Sequence, residues 1–245
     1  MRGGRTGSGT GRSPCFFLAL AIFALPTAAG AQLDILLRTL PPAPPKAGAC
    51  GAYRFVAEEA AGNRTVEFSA CIERVTAQAV RLRLWSGDSL SAVVEADPAL
   101  FEGRGGALLD HIRSIEEVVR GQKRQLTRSE WETWPGIERN SPLAAGRDSS
   151  LGKRDFEVGT KKVRATGIHR RESEHKTGSL SGVEMTQTAN RVVQTWTAPE
   201  APLLGLVRGV AEIESERRLA RPVPGVPESG RRRSVYRLEW IGTAE

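Results

Sequence analysis

Two cysteines at the ends of a pair of alternating segments are the feature that most constrains this fold. Residues 50–58 and 63–72 alternate apolar and polar side chains, and residues 61–63 have the composition of a turn. In an antiparallel pair the numbers of facing residues have a constant sum, so placing Cys50 opposite Cys71 sets the entire register. The sequence therefore predicts an antiparallel hairpin that begins and ends at these cysteines.

The register can be checked against residues that were not used to choose it. Apolar side chains then face one another on one side of the hairpin, while Arg54 faces Glu67 on the other side. A slip of one residue would destroy both matches. This agreement favours a Cys50–Cys71 disulfide, and the alternative is two unpaired buried thiols.

Residues 1–31 have the composition of a secretory signal peptide. Three arginines and no acid precede the apolar run 15–25, and the small residues Ala29-Gly30-Ala31 follow, which predicts cleavage before Gln32. The alternative is a membrane anchor, but a spanning helix needs about 20 apolar residues, more than this run provides. Cleavage also removes Cys15, and an exported chain with two remaining cysteines is a disulfide candidate.

The rest of the chain divides into a linker and one domain. Residues 41–48 read Pro-Pro-Ala-Pro-Pro-Lys-Ala-Gly, which suits neither a helix nor the interior of a sheet. We therefore expect a proline-rich linker over 32–48 and a single, mostly β domain over 49–245.

The fold class predicted from the hydrophobic pattern is α+β. Alternation predicts further strands at 80–84, 90–95, 154–168, 182–188, 190–198, 207–218 and 234–241, with a tight turn at Ala189-Asn190. One segment, 107–120, has apolar residues at helical steps of four, three and four. We expect a curved, half-barrel-like antiparallel sheet with this one main amphipathic helix packed on it.

The sequence contains no convincing catalytic or metal-binding motif. His169 and His175 flank a charged run whose arginines would repel a cation, so a solvated hairpin end is the simpler interpretation. The segment 178–182 resembles a nucleophile elbow but has leucine where the serine is needed. We therefore predict a non-enzymatic protein with no catalytic residue, no metal and no cofactor.

The arginines at 231–233 make the C-terminal region basic. Nucleic acid is a poor partner, because no aromatic residues interleave with these arginines. An anionic membrane surface is the better candidate, and the alternative is a solvated loop.

The segment Arg191–Arg208 combines a strand that ends in Trp196, a turn bounded by Pro199 and Pro202, and an apolar Leu-Leu-Gly-Leu-Val sequence. It resembles a pattern in uncharacterised bacterial exported proteins whose half-barrels are similar to the periplasmic lipoprotein carrier. The resemblance implies a concave sheet closed by helices and able to hold an acyl chain.

These observations lead to the hypothesis of an exported periplasmic or extracellular carrier for an apolar, lipid-like ligand. The predicted lining of its groove combines one face of the helix with the region around the turn. These residues are Leu108, Ile112, Ile115, Val119, Trp196, Leu203 and Leu206. The alternatives are a structural or envelope-assembly protein without a ligand, in which the same residues fill a core, and a hydrolase with an unrecognised site.

If residues 1–31 are a signal peptide, mature protein recovered from the envelope or medium begins at or near Gln32. N-terminal sequencing checks this. An exported protein that retains Met1 would contradict the prediction.

Overall fold

The computed structural model describes residues 43–60, 62–87, 90–101, 108–119, 121–132 and 148–244. The predicted signal peptide and the first part of the predicted linker, up to residue 42, lie outside these residues.

The described residues form eleven strands and two short helices, and none of these helices is long and apolar enough to cross a membrane. The strands are β1 Cys50–Glu59, β2 Gly62–Val75, β3 Val80–Ser86, β4 Leu90–Ala96, β5 Ile112–Val119, β6 Gln122–Leu126, β7 Asp148–Val158, β8 Lys161–Leu180, β9 Val183–Thr197, β10 Leu206–Leu219 and β11 Ser229–Gly242. The helices are α1 Arg128–Glu132 and α2 Pro202–Gly205, and two 3₁₀ turns span Pro98–Leu100 and Leu108–His111.

All eleven strands belong to one antiparallel sheet in the order β6-β5-β4-β3-β2-β1-β11-β10-β9-β8-β7. Strands that follow one another in the chain are paired, except β6 and β7, which lie at the two ends of the order. The additional pairing of β1 with β11 joins the meander β1–β6 to the meander β7–β11. The sheet is curved and not closed. The end of β7 contacts β11, although three strands lie between them in the order. At this contact a Cβ added to Gly159, the residue after β7, would lie 4.0 Å from the carbonyl oxygen of Ile241 in β11.

The predicted β1–β2 register is confirmed. Cys50 pairs with Cys71 and the two form a disulfide, with their Cα atoms 4.1 Å apart. Arg54 faces Glu67 as expected, and its Nε donates to Glu67 Oε1 at 2.9 Å. The pair is exposed, so its main effect is on register rather than on stability.

Two apolar clusters lie on opposite faces of the sheet. Val193 of β9 belongs to one and Trp196 of β9 to the other, and strand residues an odd number of positions apart point to opposite faces. The larger cluster, which we call the main core, includes Tyr53, Phe55, Phe68, Ile72, Leu82, Ile115, Val193, Leu203, Leu206 and Leu238. The smaller one, which we call the second cluster, consists of Val158, Val163, Ala165, Trp196, Ala198, Ala201 and Val207.

The predicted helix over 107–120 is wrong. Residues 108–111 form a 3₁₀ turn, and Ile112–Val119 is strand β5. The apparent helical spacing has a local cause: Glu95 faces Ser114 but Ala96 faces Ile112, so a bulge at Arg113 changes the phase of the strand. The bulge lets Ile112 and Ile115 both face the main core, although they are three residues apart.

Two other predicted boundaries are also wrong. The segment 154–168 is not one strand, because it contains the turn between β7 and β8 at Gly159-Thr160. Ala189-Asn190 is not a turn, since both residues lie inside the continuous strand β9. Long strands paired on both sides keep their extended backbone through residues that favour turns in isolation.

Loss of the disulfide should destabilise the domain. Cys50→Ala should lower the free energy of unfolding by about 2–4 kcal/mol, because the bond closes a loop of 21 residues in the unfolded chain. Urea unfolding of both proteins measures the difference, and the two should become similar under reducing conditions. Two titratable thiols in the denatured, unreduced chain from Gln32 would contradict the bond.

Candidate functional site

The turn between β9 and β10, residues 198–205, has an unusual backbone and is called here the 198–205 turn. Its ends are joined by a hydrogen bond from Ala198 N to Gly205 O of 2.9 Å. Leu203, Leu204 and Gly205 have φ angles of 42°, 64° and 82°. A left-handed backbone costs a non-glycine residue roughly 1–2 kcal/mol, so the surrounding contacts must stabilise both leucines in this conformation.

Packing against β1 holds the turn in place. Leu203 is only 1% exposed and belongs to the main core. A Cβ added to Gly51 would lie 2.4 Å from Cγ of Pro202, so this strand position has room for glycine alone. The buried Tyr53 hydroxyl donates to Pro202 O at 3.4 Å, and burial raises the pKa of this phenol well above its ordinary value.

The other side of the turn packs on the second cluster. Ala198 and Ala201 contact the cluster that contains Trp196. The Trp196 ring lies over Gly167, where an added Cβ would be 2.5 Å from the ring, and packs edge-on against Phe156 at a centroid distance of 5.4 Å. The turn therefore links the apolar clusters of the two sheet faces.

A second segment, residues 43–49, lies beside the turn. Ala43 N donates to Phe101 O at 3.0 Å, and Gly48 N donates to Ile72 O at 2.7 Å. Ile72 N returns a hydrogen bond to Ala49 O at 3.0 Å, directly before the disulfide. Although the segment has no regular secondary structure, hydrogen bonds join it to the sheet.

The segment 43–49 and the 198–205 turn enclose an open groove of about 570 Å³. Its wall is formed by alanines, prolines, two leucines and a glycine, with two threonines and one lysine. These residues are Ala43, Pro44, Lys46, Ala49, Thr166, Thr197, Ala198, Pro199, Ala201, Pro202, Leu203, Leu204 and Gly205. The volume is within the range of small-molecule sites, about 300–1,000 Å³.

The structure separates the residues that the sequence grouped as one lining. Leu203 lines the groove, together with Pro199 and Pro202 from the same turn. Leu206 is buried in the main core, and Trp196 belongs to the second cluster.

Of the predicted helix residues, Ile112 and Ile115 have described side chains, and neither lines this groove. Ile112 and Ile115 are 5% and 0% exposed and fill the main core. Leu108 lies in the 3₁₀ turn and Val119 at the end of β5, and their side chains are outside the described part of the structure. The expectation of a groove beneath a helix is therefore wrong, because residues 112–119 form a strand that is paired within the sheet.

Sequence reasoning missed Lys46, Thr166 and Thr197 as lining residues. Lys46 was assigned to a linker because of its neighbouring prolines. The two threonines face each other on β8 and β9, a contact that depends on pairing between strands. The sequence does contain a glycine at position 48, and glycine favours a change of chain direction. In the structure Gly48 has a φ of 81° and turns the chain that carries Lys46 toward β2.

The other candidate groups form ordinary surface contacts. His169 and His175 lie within β8, not at a hairpin end, where their Nδ1 atoms contact Ser149 Oγ at 3.2 Å and Thr188 Oγ1 at 3.1 Å. Within the described ranges, no group of three His, Cys, Asp or Glu side chains could hold a metal ion.

The basic run 231–233 is part of strand β11 rather than a loop. Arg233 pairs with Glu212 at 2.6 Å and Arg231 with Glu216 at 3.6 Å. These pairs reduce the net positive charge that the run offers to an anionic surface.

No family model and no curated protein matches the chain. Among solved structures it is similar to a DUF1329 family protein from Desulfovibrio piger, with 9% identity, 88% of this chain and 93% of that chain covered, and a TM-score of 0.28. It is also similar to a protein described as an outer membrane lipoprotein-sorting protein domain from Vibrio parahaemolyticus. The identity is 7%, the match covers 90% of this chain and 93% of that chain, and the TM-score is 0.31. A protein described as exported, with a YmcC-like fold, from Bacteroides fragilis has 10% identity, coverage of 84% and 100%, and a TM-score of 0.21.

The second and third of these proteins are described as lipoprotein-sorting and exported proteins, the kinds of protein that the segment Arg191–Arg208 resembles.

Close packing of Pro202 on β1 predicts that Gly51→Ala destabilises the domain. The added methyl group would lie 2.4 Å from a rigid proline ring, and we expect a loss of about 1–3 kcal/mol in unfolding free energy. Gly230→Ala in β11 is the matched control, because nothing lies within 4 Å of its added Cβ. Equal stability of the two variants in urea unfolding would contradict this packing.

Proposed function

We propose that this protein is an exported, non-enzymatic binder of an apolar, lipid-like ligand, and that the groove beside the 198–205 turn takes the ligand. The observation that carries the proposal is the groove itself: about 570 Å³ bordered largely by alanine, proline and leucine. Small-molecule sites have this character, with mostly apolar walls and a few polar groups that fix orientation.

The strained backbone of the turn supports the same proposal. Two consecutive leucines with positive φ are uncommon, and such strain is concentrated at functional sites. Both leucines line the groove, while Leu203 also reaches the main core. The turn therefore presents a rigid apolar surface, and a preorganised surface loses little entropy when a ligand binds.

Export is part of the proposal and has separate support. The N-terminal composition is that of a signal peptide, and the Cys50–Cys71 disulfide is typical of an oxidising compartment. An apolar ligand outside the cytoplasm has to move through water, and a groove of this kind would shield it.

Binding of a fluorescent long-chain fatty acid to the chain from Gln32 tests the proposal, after extraction of any lipid retained from the host. Thr166→Trp fills the groove from an exposed strand position, so it should weaken binding at least about tenfold without unfolding the sheet. Arg164→Trp is the matched control, because Arg164 is exposed on the same strand but does not line the groove.

Thermal unfolding of the three proteins verifies that both variants fold. If the wild type binds no probe, or if both variants bind it as the wild type does, the proposal is wrong. The structural or envelope-assembly alternative then becomes the better reading. A dimer that Thr166→Trp dissociates, without probe binding, would make a second copy of the chain the occupant and would also overturn the proposal.

A further inference from the structure

Among the residues that the structure describes, Lys46 is the one charged residue in the wall of the groove. It makes no ion pair with another residue of the described ranges, whereas several cations elsewhere on the sheet do. Arg54 contacts Glu67 at 2.8 Å and Arg170 contacts Asp148 at 2.7 Å, for example. The acid of the adjoining turn, Glu200, is exposed and does not line the groove. The groove therefore has a cation with no carboxylate beside it in its wall.

The backbone that carries Lys46 is held in place by the sheet. Its carbonyl accepts a hydrogen bond from Ala49 N at 3.3 Å, and Gly48 N donates to Ile72 O at 2.7 Å. The residue after Ala49, Cys50, forms the disulfide with Cys71 of β2. Because its backbone is anchored, the side chain can reach along the groove from a defined point at the rim.

The chemistry of lysine suits this position. Its aliphatic stem packs on apolar surface while its ammonium group stays in water, and the ammonium donates hydrogen bonds to anionic oxygens. Thr166 and Thr197, which face each other across β8 and β9, supply two hydroxyl groups to the same groove. The wall thus combines a long apolar surface with a few donors and a positive charge.

We infer that the ligand is an anionic amphiphile whose single apolar chain lies against the 198–205 turn and whose carboxylate or phosphate is bound by Lys46. This inference rests on the proposed function and adds the chemical class of the ligand. The charge complementarity is local, because among the described residues Lys46 supplies a positive charge to the groove wall and no acid lies beside it there.

Competition against the fluorescent fatty acid separates head group from chain. Decanoate, decyl phosphate and decanol have the same chain length and differ only in the head group. At neutral pH and low ionic strength the wild type should bind decanoate, decyl phosphate or both about twofold to fivefold more tightly than decanol. Whichever anion binds more tightly identifies the head group, and added salt should reduce the preference.

Variants of Lys46 assign the preference to this residue. Lys46→Met keeps the aliphatic stem, so it should abolish the preference for anions while decanol binding stays unchanged. Lys46→Arg should retain the preference. Lys153→Met is the matched control, since Lys153 is an exposed lysine of β7 that does not line the groove.

The outcomes distinguish this inference from the proposed function. Equal binding of decanol and both anions by the wild type, or an anion preference that survives in Lys46→Met, overturns the inference and leaves an apolar groove. Absence of binding by all three competitors and the probe overturns the proposed function itself.

Discussion

The pairing of β1 with β11 is the interaction on which the rest of the structure depends. It joins the meander β1–β6 to the meander β7–β11, and no other pair in the sheet connects strands that are distant in the chain. Tyr53 and Phe55 of β1 are fully buried where the two meanders meet, and Phe55 faces Leu238 of β11. Without this pairing neither meander could bury its apolar face against the other, so the main core would not form.

The candidate site is a consequence of the same junction. The 198–205 turn follows β9 in the second meander, yet Pro202 packs on Gly51 of β1 in the first. The segment 43–49 precedes β1 and hydrogen-bonds to β2. The groove therefore forms only when the two halves of the chain have assembled. The contacts that build it also offset the backbone strain at Leu203 and Leu204, which would be unfavourable in an isolated turn.

The errors of sequence interpretation have a common origin in pairing. The spacing of Ile112 and Ile115 matches a helix, but a bulge opposite β4 produces the same spacing in a strand. Asn190 favours a turn locally, but β8 and β10 pair with it from both sides. Not every local signal is overridden in this way: Thr127 and Glu130 have the spacing of a capping box directly before and within the short helix α1, and Thr127 N donates to Glu130 Oε2 at 2.7 Å.

The sequence by itself determined the antiparallel class of the sheet, the β1–β2 register with its disulfide, and the apolar turn after Trp196. All three depend on residues close together in the chain, whose alternation and turn chemistry act locally. Only the tertiary structure decided that Lys46 and Thr166 would share a groove with Leu203. Residues more than a hundred positions apart meet there because β1 pairs with β11, and no local pattern records a contact of that range.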